Sequence, residues 1–298
     1  MRERRITVDR APSLGPDAVS WRLHREVALL AGWGRAILLQ LAHPLVAQGV
    51  AEHSAFLREP HGHVRRLRRT LESMLALTFG SDDEARRAAA RINAIHDRVH
   101  GQIAARQGAH PAGATYSAHD PDLLVWVHAT LLDSFLLTFQ LFVADLTESE
   151  CDRYCAESSR IEPLLGIPSG RLPRTHDALR CYLAERLATD EISVTDAARA
   201  LAHAVLYPGI GWPARPLTAL SRLLTVGLLP DAMRDAYHVT WNPRRERAFR
   251  LIAATSRRSL PLVPALLRHW PTARRAATRV PAADGDQCAP GDSGGPRR

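Results

Sequence analysis

The residues best suited to chemistry crowd into one short reach, "GVAEHSAFLREPHGHVRRLRRTLESMLALTFG". Glu52 and His53 open it. Arg65, Arg66, Arg68, Arg69 and Thr70 follow on a helix expected over residues 64–79, which stops at Gly80. Val64, Leu67, Leu71, Met74 and Leu75 recur at helical spacing there, and Thr70 falls beside Leu67 and Met74 on the predicted buried stripe, with Arg66 one turn behind. A guanidinium close to a buried face needs an anion. That anion is either an acid such as Glu52 or a ligand: a haem propionate or a group derived from oxygen.

A second set lies in "SDDEARRAAARINAIHDRVHGQI". Ala85, Ala89, Ile92, His96, Val99 and Ile103 form one predicted stripe with His96 in its middle. An imidazole there is either a hydrogen-bonded core residue or an axial ligand to haem iron. His100 is one helical turn later, so a His96/His100 clasp on zinc or non-haem iron is the third possibility. A metalloprotease helix would read H-E-x-x-H, whereas this one reads "HDRVH", without the glutamate that serves as base.

Composition narrows the classes. All 39 basic residues are arginine, against 31 acids, for a net charge of +8. With no lysine there is no Schiff base, no P-loop lysine and no amine ligand to a metal. The arginines are spread over many helices without an RNP, zinc-finger or basic-zipper pattern, so nucleic acid is not an expected partner. Four cysteines, of which Cys151 and Cys155 are four apart, do not make a zinc module and read as ordinary thiols. The start, "MRERRITVDRAPSLGPD", has charges but no apolar core of a secretory signal, so a cytoplasmic protein is expected.

The elements that must position these residues are helical. No alternating strand is convincing. "PDAVSWRLHREVALL" gives a first helix, and Pro44 should kink the second. Residues 123–143 are long enough to span a membrane, yet Asp133 at their middle favours the central helix of a bundle over stable insertion. Thr147 and Glu150 form a capping box for the next helix, and shorter helices follow to residue 269. The expected fold is all-α: one bundle of about ten to twelve helices over residues 16–279. A flexible segment (1–15) precedes it and a disordered tail (280–298) follows.

Several blocks in this order carry a resemblance: "GPDAVSWRLHREVALLAGWGRAILLQLAHPLVAQGVAEHSAF", "RLRRT", "IHDRVHG" and "YSAHDPDLLVWVHATLLDS". Together they resemble the MpaB-type oxygenases, which include the rubber oxygenases (latex-clearing proteins) and the endoplasmic-reticulum-bound oxygenase of mycophenolic acid biosynthesis. The resemblance implies an all-α fold enclosing one haem b, with O2 and a small apolar molecule, saturated or unsaturated, as substrates and an electron donor it does not name. By the same resemblance His96 is the iron's axial ligand, with His100 the alternative. Arg66 and Thr70 border the haem, and Glu52 acts as a base near the substrate. Rubber oxygenases can carry a lysine just before that threonine. Here it is Arg69, which stays protonated and can border the haem but not ligate iron. The rival readings are a non-catalytic haem- or lipophile-binding protein and the di-histidine metal enzyme.

Overall fold

A computed structural model of the chain describes residues 14–53, 62–209 and 211–279. The expected tail, and all but the last two residues of the expected N-terminal segment, lie outside them.

The expected central helix is α6 in chain order. Before it come α1 (Val19–His24), α2 (Leu30–Leu41), α3 (Pro44–His53), α4 (Gly62–Phe79) and α5 (Asp82–His96). A short antiparallel ribbon, β1 (His100–Gln102) with β2 (Thr115–Ser117), leads into α6 (Pro121–Phe142). Then follow α7 (Glu148–Ser158), α8 (Glu162–Leu165), α9 (His176–Leu187), α10 (Asp196–Leu206), α11 (Arg215–Leu228), α12 (Asp231–Ala236), α13 (Pro243–Ser259), α14 (Ala265–Arg268) and α15 (Pro271–Ala277). The protein is all-α apart from the ribbon, which the sequence reading missed.

Helix α6 starts where Asp120 accepts a hydrogen bond from the Asp122 amide and Pro121 supplies the preset φ of a first helical residue. It is long and apolar enough to cross a membrane, but two-thirds of its most apolar window is buried by other helices. Helix α2 lies along it. A Cβ on Gly32 would run into Thr138 of α6, and one on Gly34 into Thr225 of α11, so the two glycines let three helices approach closely.

Arg35 of α2 enters this interior with 6% of its surface exposed. Its guanidinium meets Asp133 at 2.6 Å, the Leu228 carbonyl at 2.8 Å and Ser134 Oγ at 2.7 Å. The charge expected to keep α6 out of a bilayer is thus paired with a buried guanidinium, its own carboxylate being 20% exposed. Pro44 does more than kink its helix: α2 and α3 are separate, with a bend of 104° across the break between them. That turn sends α3 out of the core toward the ribbon.

Candidate functional site

Glu52 lies in the last turn of α3, beside the ribbon. Its Oε1 accepts from Gln48 Nε2 at 2.6 Å, one turn back, and its Oε2 accepts from the Tyr116 hydroxyl. His53 Nε2 stands 3.1 Å from the same hydroxyl, and the His53 ring faces that of His100 across 6.5 Å. Glu52, Tyr116 and His53 therefore form one connected set.

Tyr116 is 4% exposed and is held by glycines on two sides. It pairs with Gly101 in the ribbon. A Cβ at Gly101 would stand 2.7 Å from the Tyr116 hydroxyl, and a Cβ at Gly49 of α3 would stand 3.5 Å from the ring. The slot admits the ring because Gly101 lacks a side chain, and Gly49 lies at ordinary contact distance on the other side. Burial, and then the hydrogen bond and charge of Glu52, push the phenol well above its usual range, so it remains a proton donor to the carboxylate.

His96 closes α5. The helix is started by a capping box, in which Ser81 accepts from the Glu84 amide and Glu84 reaches back. It ends about two turns earlier than the periodicity predicts, because residues 97–99 turn the chain into β1. The Val99 amide donates back to the His96 carbonyl at 2.9 Å, and Ala118 donates to Val99 at 2.8 Å. This corrects the predicted stripe: His96 is the half-buried last helical residue, not the middle of a longer helix. It also separates His96 from His100, which begins a strand and faces His53. The i, i+4 clasp on a metal does not form. Among the described residues no three of His, Cys, Asp and Glu converge as a cation cage.

The His96 ring meets that of His119 edge-on at 5.7 Å, and His119 Nε2 is 2.7 Å from Asp97 Oδ1. The two ends of the site are in contact. Val99, three residues after His96, packs so closely on Gly49, three before Glu52, that a Cβ there would be 3.2 Å from it.

Thr70 needs a second correction. Helix α4 buries Leu75 and Phe79, which join Trp21, Ala273 and Ala276, with Leu71 packed partly against them. Of the predicted stripe, Leu71, Met74 and Leu75 do face the body, whereas Leu67 and Thr70 are exposed. Thr70 and Arg69 lie on the exposed side with Arg65 and Arg68. Arg66 sits on the same helix, its side chain outside the described residues. Helices α4 and α5 pack as an antiparallel hairpin about Gly80 and Ser81. Fifteen residues of α5 carry His96 about 22 Å from the bend, level with Arg65 on α4. Arg69 and Thr70 are then little more than one turn from that level.

The donor set is one half-buried imidazole at the end of α5, a face of guanidiniums on α4 level with it along the hairpin, and a carboxylate on α3 held by Gln48 and Tyr116. It suits a planar anionic cofactor that needs a single protein ligand, and does not suit a compact cation held by protein alone. Sequence reading missed Tyr116, Gln48, His119 and Asp97. Only the Gln48–Glu52 spacing of four could have been seen locally, since the ribbon supplies the rest.

The chain matches the family "ER-bound oxygenase mpaB/B'/Rubber oxygenase, catalytic domain" over residues 21–258. Uncharacterized proteins of Mycobacterium bovis and Mycobacterium tuberculosis are each 25% identical to it over 232 residues, covering 76% of this chain and 87% of the relative. No solved structure matches it significantly. The match runs from within α1 to within α13 and includes every element described at the site, and by it the chain belongs to the family of MpaB-type and rubber oxygenase catalytic domains.

Proposed function

We propose that this oxygenase is haem b-dependent and acts in the cytoplasm with O2 on a small apolar substrate, one that a carbon–carbon double bond would suit. The observation that carries the reading is the continuity between His96 and Glu52: an axial-type imidazole and a hydrogen-bonded carboxylate joined by the Val99–Gly49 contact.

Haem would supply the iron at which oxygen chemistry takes place. His96 would hold that group from the end of α5. Asp97 fixes the His119 ring beside it, constraining the imidazole's orientation in the way outer partners do for metal-bound histidines. Arg66 and Arg69 would meet the propionates as charge-assisted donors, and Thr70 would border the same edge. Glu52 would manage the substrate's proton. Gln48 and Tyr116 hold its two oxygens as acceptors, and Tyr116 stays protonated because its own ionisation is suppressed.

A visible spectrum of the purified protein tests the cofactor. A Soret band is expected, lost in His96→Ala and kept in His100→Ala. If His100→Ala empties the site while His96→Ala retains the haem, the ligand assignment is wrong. Oxygen uptake dependent on an added apolar alkene separates an oxygenase from a carrier of haem or lipophiles.

A further inference from the structure

The strongest feature outside the site lies at the C-terminal end of the body. Helix α13 buries Phe249 and Ala253 against the core. Its outer ridge runs Arg244, Arg247, Leu251, Thr255, Arg258 at spacings of three and four, and Leu251 is 68% exposed. The ridge continues into the turn Leu260–Leu262, and the apolar run "PLVPALL" follows. Leu262 is 83% exposed, Leu266 64% and Leu267 72%. Four large side chains left in water within 17 residues are unlike scattered surface leucines, and such patches mark interaction faces.

The charge around them has one sign. Residues 243–277 hold nine arginines against one acid, Glu246, a balance equal to the whole chain's +8. Some of those arginines are occupied. Arg257 binds Asp145, Arg268 binds Glu26 at 2.6 Å and Arg250 binds Glu246 at 2.5 Å. Arg244, Arg247 and Arg258 lie on the ridge itself, and none pairs with a carboxylate among the described residues. A protein partner would need its own acidic rim around an apolar centre. An anionic bilayer offers both at once: acyl chains for the leucines and phosphates for the guanidiniums.

We propose that the face formed by the outer ridge of α13 and residues 260–267 docks reversibly on anionic phospholipid membranes. The apolar side chains enter the headgroup boundary while the arginines remain at phosphate depth. The face adjoins the helix that carries the arginine cluster. Trp270, three residues after Leu267, packs with Leu75 and Phe79 of α4. That contact is at the Gly80 end of α4, with Arg65, Arg69 and His96 toward the other end of the hairpin. The docking itself does not depend on the cofactor reading.

Sedimentation with lipid vesicles tests this on the full chain. Binding is expected to vesicles of phosphatidylcholine mixed with phosphatidylglycerol, to be much weaker with phosphatidylcholine alone, and to fall with added salt. Leu262→Glu with Leu266→Glu should weaken it by about a hundredfold. Arg247→Gln with Arg258→Gln should weaken it by about tenfold or more. Arg91→Gln with Arg180→Gln removes the same charge from exposed positions on α5 and α9, and should change it little. Circular dichroism on each variant confirms the helical fold. Equal binding to both vesicle types, or leucine variants that bind like the parent, would overturn the proposal. So would a dimer seen by light scattering that Leu262→Glu dissociates, since the face would then cover a second copy.

Discussion

Replacing Asp133 with alanine is the most direct test of how the centre of this fold is held. The substitution leaves the Arg35 guanidinium, 6% exposed, facing the Leu228 carbonyl and Ser134 Oγ with no counter-charge. Removing one partner of a buried pair costs about 3–5 kcal/mol, most of it the penalty of the stranded charge. At about 2–4 °C per kcal/mol for a chain of this size, the melting temperature should fall by roughly 10 °C. Urea unfolding followed by circular dichroism measures the loss. The double variant Arg35→Met/Asp133→Leu should recover most of it, because apolar side chains of similar volume avoid the desolvation penalty altogether. An Asp133→Ala protein as stable as the parent would refute the reasoning. It would mean that water reaches the guanidinium and that α2, α6 and α11 are not sealed around it.

Burial lowers His24 from 6.5 to about 4, with His128 beside it adding to the shift; His43 falls likewise to about 4 through burial, His110 and Arg186. These groups are neutral in both states above pH 6.5. Below it the unfolded chain takes up protons that the fold refuses, so stability should drop between pH 6.5 and 4. His24→Gln should flatten that limb, as unfolding measured across the range will show. Gly101→Ala should drive the Tyr116 hydroxyl off Glu52 while leaving the helices intact, cutting activity about tenfold or more. Tyr116→Phe should do the same and also shift the activity–pH profile. An unchanged profile in both would mean that the tyrosine does not govern the carboxylate.

The parts of this molecule readable from sequence are those written at short range. Ser81 with Glu84, Thr147 with Glu150, and Asp120 before Pro121 announce three helix starts, and all three caps form. Asp133 in an apolar run predicted a buried centre, although its partner Arg35, 98 residues earlier, was invisible. The candidate site was half legible. Glu52 and His96 stand out by type, but Tyr116 reaches Glu52 only because a ribbon folds back over 64 residues. That ribbon is three residues a strand, too short for alternation to register, and its strands pair across a loop. The periodic stripe through His96 ran on into Val99 and Ile103 because both are indeed covered, yet by Leu45 of α3, Leu123 of α6 and Tyr116 of the ribbon and not within a longer helix. Helical spacing and burial coincided there without a helix.

The two glycines of α2 divide the molecule mechanically. Where Gly32 and Gly34 let α2 lie against Thr138 and Thr225, backbone approaches backbone too closely for one helix to slide past another without clashing. The α4–α5 hairpin has no such lock. It touches the body through a small satellite cluster around Trp21, Phe79 and Ala273 and through Leu71 and Met74, which pack partly on the main core, while the face of Arg65, Arg68, Arg69 and Thr70 is exposed. Amide protons should therefore exchange only through global unfolding in α2 and α6 but through local opening in α4. The stiff trio acts as an anvil: α4 should open and close locally while α2, α6 and α11 keep their places.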